Sequence, residues 1–409
     1  MPILPEEAAG RKIPKMYAVK QIFADEHIHD ADEAVAACFA DEDIRRRVRP
    51  GVSVAIAVGS RGITSLKEIV RAVVINLKSL GAEPFLTPAM GSHGGGDAEM
   101  QKKILEDYGV TEQFVGAPVL SSMETVVIGQ TDDGIPIHMD ALAARADAIV
   151  PVARVKPHTD FSAPIESGLC KMLTIGLGKH NGCARLHREG FSSFPDLIPR
   201  AAKTVIRERF IAFGIAVIEN AHKRVHSIHA IPGDAILDKE PGLLSLSKSL
   251  LPKLHFAAID VLIVEQIGKD ITGAGMDPNI TGKTPTGLIP GFDGPRIKRI
   301  VALSLSPGAH RNATGIGMAD FTTKEVYAQI DFFSTYANCI ASGTPEAAKI
   351  PIMLETEAEA VHAAIQTAAK TDIDNIRMVR IRDTSNLGEI LVSEALLREC
   401  ESMPDKFRF

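Results

Sequence analysis

The sequence predicts an α/β protein of two domains, with largely parallel or mixed sheets flanked by helices. Three observations carry this expectation. The chain has 409 residues, more than one small core organises. Apolar, β-branched segments alternate with segments of helical spacing along most of its length. Near the start the order strand, loop, helix occurs twice in succession, the pattern of a parallel sheet covered by helices.

The elements follow in order. VSVAIAV (Val52–Val58) reads as a strand and GSRGIT as the loop after it. Ser65–Gly81 has helical spacing, a polar residue at its start and glycine at its end. EPFLTPAM is a second strand, GSHGGG a loop, and DAEMQKKILEDYG a helix capped by Asp97. ETVVIGQTDDGIPIHM reads as a hairpin turning at Asp132–Gly134. Asp147–Val155 is a buried strand that leads into KPHTDFSAPIESGLCKMLTIGLGKHNGCARLH (Lys156–His187). Helices are expected at Phe194–Phe210 and Leu243–Leu254, and strands at IAFGIAVIEN and IDVLIVEQIG. A glycine-rich, almost structureless segment then runs from Gly268 to Pro295, long enough to suggest a functional loop. IKRIVALSLS opens a C-terminal third that again alternates strand and helix. The boundary is placed so that residues 1–275 form an N-terminal α/β domain and 276–409 a C-terminal one.

Composition narrows the function. A net charge of -6 gives no reason to expect nucleic acid or an anionic membrane as partner. No apolar run reaches the length of a membrane span. MPILPEEAAGRKIPK lacks the apolar core of a signal peptide. The scattered Cys38, Cys170, Cys183, Cys339 and Cys400 do not make a disulfide framework. A cytoplasmic protein is expected.

Ligands in parallel α/β sheets gather beyond the carboxyl ends of strands. Four loops in such positions carry Arg61, His93, His158 and the pair Gln266 and Lys269. A Gly-rich loop opening a helix suits an anion, and His93 there could titrate near neutral pH; the plain alternative is a tight turn with a solvated histidine. His158, held after Pro157, suits a general base or a structural histidine. Lys171 is either a nucleophile with a depressed pKa or an ordinary surface lysine. His187, with Cys170, Cys183, His158 and His180 nearby in sequence, suggests a metal, although no zinc-finger spacing is present. Arg61, and Gln266 with Lys269, suit a small anionic substrate or surface ion pairs. His222, His226 and His229 read as a polar strand or loop surface. Two histidines beside anion-binding groups suit inversion of a stereocentre next to a carboxylate, which needs a proton acceptor on each face of the carbon.

In order, VGSRGIT, MGSHGGG, KPHTDFSAP, SGLCK, a histidine 16 residues beyond that lysine, and Gln and Lys three apart make the chain resemble the nickel-pincer-nucleotide lactate racemase family. The resemblance implies a racemase or epimerase of a 2-hydroxy acid, with its site in the cleft between the domains. Lys171 would hold a pyridinium mononucleotide through a thioamide link, with Ser60 also at the cofactor and His187 binding its Ni(II). His93 and His158 would be the acid/base pair while the α-hydrogen passes to the cofactor as hydride. Arg61, Gln266 and Lys269 would orient the substrate. Proteins that make the cofactor would be partners. The rivals are a hydrolase or lyase using a simple divalent metal, and a non-catalytic protein binding a small anion or the nickel cofactor.

The chain departs from the family pattern at Val58, where an acidic residue is expected, and at Glu265, where an aromatic is expected. The His158–Lys171 spacing is three residues longer, and there is no Trp. These departures point from lactate towards a larger or more polar 2-hydroxy acid, such as a sugar acid or a dicarboxylate, with GMDPNITGK offering polar groups.

Overall fold

The computed structural model describes residues 13–59, 62–285, 291–368 and 373–409. Their strands, in chain order, are β1 (Met16–Gln21), β2 (Ser53–Val58), β3 (Glu83–Pro88), β4 (Thr125–Gln130), β5 (Pro136–Asp140), β6 (Ala148–Arg154), β7 (Phe213–Glu219), β8 (Val225–Pro232), β9 (Ala258–Val264), β10 (Arg296–Ala302), β11 (Phe321–Thr323), β12 (Ile352–Leu354), β13 (Met378–Ile381), β14 (Glu389–Ser393) and β15 (Phe407–Arg408). They form two sheets and the β4–β5 ribbon, with helices between the strands, as the alternating pattern predicts.

The chain divides into two units, Ala24–Leu251 and, around the second sheet, the residues up to Phe23 with Pro252–Phe409. The break at 251/252 differs from the expected 275/276. The reason is β9, which lies inside the second sheet, parallel to β10 on one side and β13 on the other. Strand β1 returns the N-terminal residues to the same sheet, antiparallel to β14.

The Ala24–Leu251 unit holds a sheet of order β3-β2-β6-β7-β8, parallel except for β8. Strand β2 is wholly apolar and buried from Val54 to Val58, so both faces must be covered. The helix Leu66–Ser79 buries Ile69, Val73 and Leu77, at the i, i+4, i+8 spacing of one helical face, in the same apolar cluster as Val54, Ile56 and Val58 of β2. Because β2 is followed by β3 on one side and has β6 on the other, the chain reverses its winding at β2, and loops leaving β2 and β6 are splayed apart. The β4–β5 ribbon turns at Gly134, as expected from its sequence, and Asp97 caps the helix Ala98–Asp107 by accepting from Met100 N–H at 2.9 Å.

The second unit holds a sheet of order β12-β11-β10-β9-β13-β14-β1-β15. Its core gathers Leu262, Val264, Ile300, Val379 and Val392. The segment after β9 is not structureless where it is described. It contains the helix Pro278–Thr281, and Met276 and Ile280 are buried in this core. Residues 286–290 of that segment lie outside the described residues. The helix expected at Leu243–Leu254 instead runs Ile236–Leu250, through Pro241. No helix among the described residues is long and apolar enough to cross a membrane.

Candidate active site

Three strands of the first sheet deliver candidate residues at their carboxyl ends. Strand β2 runs into Gly59, where a Cβ would lie 2.9 Å from the Met172 methyl, so this strand end abuts the residue after Lys171. Ser60 and Arg61 follow and lie outside the described residues.

Strand β3 runs into the loop that carries His93. Gly94, Gly95 and Gly96 all have left-handed φ, from +63° to +69°, which explains three successive glycines. His93 is exposed. Its backbone is fixed, with N–H donating to Met90 O at 3.1 Å and its carbonyl accepting from Gln101 Nε2 at 3.0 Å. Gln101 also donates to Gly91 O at 3.0 Å. Gly91 N–H in turn donates to Gly176 O at 3.1 Å, and Ser92 Oγ lies 3.6 Å from Cys183 Sγ. The His93 loop therefore sits against the helical segment that ends in His187.

Strand β6 leads to His158, whose side chain is buried. The loop beyond it closes on itself, because Lys156 and Ser167 pair as an antiparallel bridge. Inside the loop the Glu166 carboxylate accepts from His158 N–H at 2.5 Å, from Ala163 N–H at 2.9 Å and from Lys248 Nζ at 2.7 Å. His158 Nδ1 accepts the Asp160 N–H at 3.0 Å, with the Asp160 carboxylate 3.4 Å away. Nε2 is hydrogen-bonded to Lys171 Nζ. The ring stacks on Phe161, centroids 4.5 Å apart. The closed loop accommodates the longer His158–Lys171 spacing and still brings the two side chains together.

Lys171 ends a short helical turn, Leu169–Lys171, that passes into a π-turn, Met172–Gly176, and then into the helix Lys179–His187. Such π-turns are frequent at functional sites. Gly168 is required by packing, since a Cβ there would lie 2.1 Å from Glu240 Oε1. Glu240 Oε2 accepts the Cys170 N–H at 2.9 Å.

His187 Nδ1 lies 2.7 Å from Cys183 O, one helical turn back, and 3.5 Å from Cys183 Sγ. A proton on Nδ1 satisfies that carbonyl and leaves Nε2 as the ligating nitrogen. Burial acts to raise the Cys183 thiol, but the hydrogen bonds and charge of His187 together with Ser92 outweigh it, and the thiol is lowered from its ordinary value. Burial acts to lower His187, and the Cys183 partner outweighs it in the opposite direction. His187 and His158 share an aromatic wall. Phe191 lies 5.6 Å from His187 and 5.8 Å from His158, and Phe194 lies 5.0 Å from His187.

The first unit thus brings His158, Lys171 and His187 around one phenylalanine cluster, with the His93 loop on the same helical segment. Gln266 and Lys269 belong to the other unit. Gln266 N–H donates to Arg382 O at 2.8 Å, and Lys269 Nζ is hydrogen-bonded to Asn338 Oδ1. Glu265 pairs with Arg380 at 2.6 Å, which accounts for a carboxylate where an aromatic is expected. Asp277 of GMDPNITGK turns inward and caps its own helix at Asn279 N–H, 2.9 Å away.

Sequence reasoning did not single out Asp160, Glu166, Glu240 or the phenylalanines. Glu166 stands within the motif-bearing segment, and Phe191 and Phe194 stand together at a helix start, so both carried a signal; Glu240 carried none. Among the described residues, no group of three or more His, Cys, Asp or Glu side chains is placed to hold a metal ion. The site does fit a cofactor-borne metal: one imidazole with its second nitrogen engaged, one amine beside a histidine, and an aromatic wall for a flat ring.

Residues 11–195 match the family model described as the lactate racemase N-terminal domain. The fold is similar to that of the lactate racemase apoprotein from Thermoanaerobacterium thermosaccharolyticum, with a TM-score of 0.58 at 12% identity over 91% of this chain and 99% of that one. It is also similar to a structural-genomics protein from Thermotoga maritima, with a TM-score of 0.54 at 12% identity over 87% and 96% of the two chains. At such identity the likeness is one of fold. No curated protein matches the chain in sequence.

Proposed function

We propose, from the match of residues 11–195 to the lactate racemase N-terminal domain, that the chain is an isomerase of the lactate racemase family that racemises or epimerises a 2-hydroxy acid. The observation that carries the reading is the meeting of His158, Lys171 and His187 at one aromatic wall. In this reading Lys171 would hold a nickel-pincer nucleotide and His187 would ligate its metal through Nε2, while the cofactor-binding role of Ser60 rests on the family resemblance alone. When bound, that group supplies an acceptor and donor of hydride for the α-carbon.

The chain's own residues do the rest. His158 takes or returns the hydroxyl proton at Nε2, with Glu166 fixing its backbone and Asp160 facing its other nitrogen. His93 serves the opposite hand of the substrate from a loop whose backbone is pinned by Gln101. Fixing both bases before substrate arrives lowers the entropic part of the barrier. For Arg61, Gln266 and Lys269 the substrate-orienting role rests on the family resemblance alone. Glu265, Val58 and the lack of Trp favour a substrate larger or more polar than lactate, such as a sugar acid or a dicarboxylate.

The test is substitution. His93→Ala and His158→Ala are each expected to lower racemisation by roughly 10²–10⁴-fold, followed by chiral chromatography of candidate 2-hydroxy acids, with cofactor still attached. Lys171→Ala is expected to lose the cofactor itself. Full turnover in either histidine variant would remove the mechanism. A simple-metal hydrolase would keep its metal in Lys171→Ala, and a binding protein would keep its ligand in both histidine variants.

A further inference from the structure

The hydrogen bonds around His158 constrain the protonation of its neighbour. Asp160 N–H points at Nδ1 at 3.0 Å, so Nδ1 offers a lone pair and carries no proton. A neutral imidazole must then carry its proton on Nε2. Nε2 is hydrogen-bonded to Lys171 Nζ. With the proton on Nε2, the ring donates and the lysine accepts. An ammonium group has three donors and no lone pair to accept with, so the accepting Lys171 is an uncharged amine. A charged Lys171 would demand a ring with lone pairs on both nitrogens, which is the imidazolate anion.

We propose that in the unloaded protein His158 holds Lys171 as a neutral amine, making it a nucleophile ready for an activated carboxyl group. The proposal deepens the reading above and rests on it for its biological purpose. The surroundings are consistent with this role. Glu166, one of the two carboxylates of the loop, is engaged with Lys248 and with the backbone N–H groups of His158 and Ala163. The Phe161 ring stacks on the imidazole at 4.5 Å and the Phe191 ring lies 5.8 Å away, which gives the imidazole an apolar setting. The other carboxylate, on Asp160, faces Nδ1 at 3.4 Å. Asp160 therefore offers Nδ1 a donor through its backbone and an acceptor through its side chain. Once the lysine nitrogen is acylated it no longer accepts from Nε2. When the Asp160 N–H turns away from Nδ1, that nitrogen can take the proton with the Asp160 carboxylate, 3.4 Å off, as its acceptor, which frees the Nε2 lone pair that turnover needs. Asp160 is in this account a positioning residue that lets one histidine serve two tasks.

The probe is N-hydroxysuccinimidyl acetate at neutral pH on the unloaded protein. The lysine nitrogen bonds to the acetyl carbon, the C–O bond to N-hydroxysuccinimide breaks with its electron pair, and the nitrogen's proton passes to buffer. At pH 7 an ordinary lysine is neutral in roughly one molecule in a few thousand. Lys171 is expected to acetylate at least about tenfold faster than the exposed Lys20 and Lys324, by peptide mass mapping under limiting reagent. His158→Gln and His158→Ala should each bring it back to the rate of those two lysines, with thermal unfolding confirming that at least one variant is folded. Equal rates for Lys171 and the exposed lysines in the unsubstituted protein would overturn the proposal, as would an unchanged Lys171 rate in a folded His158 variant. The two ideas fail separately. A cofactor adduct on an unreactive Lys171 leaves the function and sinks this inference. A fast Lys171 that never acquires cofactor does the reverse.

Discussion

Glu240 is a glutamate 1% exposed, in the helix Ile236–Leu250, and burial pushes its carboxyl up to about 7. Hydrogen bonds from Cys170 pull the other way and only partly offset this. Between the ordinary glutamate range and about 7, the folded chain holds this proton and the unfolded chain has released it. Stability from this group therefore falls as pH rises through that window, and the full cost, on the order of 3 kcal/mol, is present above it. Glu240→Gln keeps an oxygen for the Cys170 N–H and removes the titration. It should raise stability at pH 8, change it little at pH 5, and flatten the slope of denaturant-derived stability between them. A variant with the original slope would show that Glu240 does not titrate there. At this scale the candidate residues were legible, because His93, His158, Lys171 and His187 stand out in the sequence by type and spacing. Their partners were not. Glu240 meets Cys170 from 70 positions away and Lys248 meets Glu166 from 82, separations on which local pattern is silent.

Among the elements, the most consequential link is a buried ion pair. Lys179 and Asp140 both have fully buried side chains, with Nζ 3.0 Å from Oδ2. Desolvation lowers the lysine's pKa, and Asp140 acts against that. Lys179 also donates to Pro88 O and to Gln101 Oε1, while Asp140 accepts from Thr87 and caps the helix Ala141–Arg145. One pair thus ties β3, β5 and the helix Ala98–Asp107 together beneath the His93 loop. Removing one partner leaves an uncompensated charge. Lys179→Met should cost about 3–5 kcal/mol in denaturant unfolding, and adding Asp140→Leu should restore much of it. A single-variant loss under about 1 kcal/mol would mean the pair is dispensable. Nothing in the local sequence GLGKH (Gly176–His180) signals this role. Strands and helices themselves were largely legible from periodicity. The sheet each strand joins was not, because β9 reads alike in either sheet.

For the whole molecule, the α/β architecture follows from alternation and burial, and the likeness to the lactate racemase apoprotein extends over 91% of the chain. The central proposal is chemical: Lys171 would be the attachment point of a nickel-bearing nucleotide. The most direct measurement is the intact mass of the protein produced beside the cofactor-making proteins with nickel supplied, with peptide mapping of any added mass. The account predicts an adduct on Lys171 that is lost in Lys171→Ala. An unmodified chain, obtained while a lactate racemase produced the same way is loaded, would contradict it.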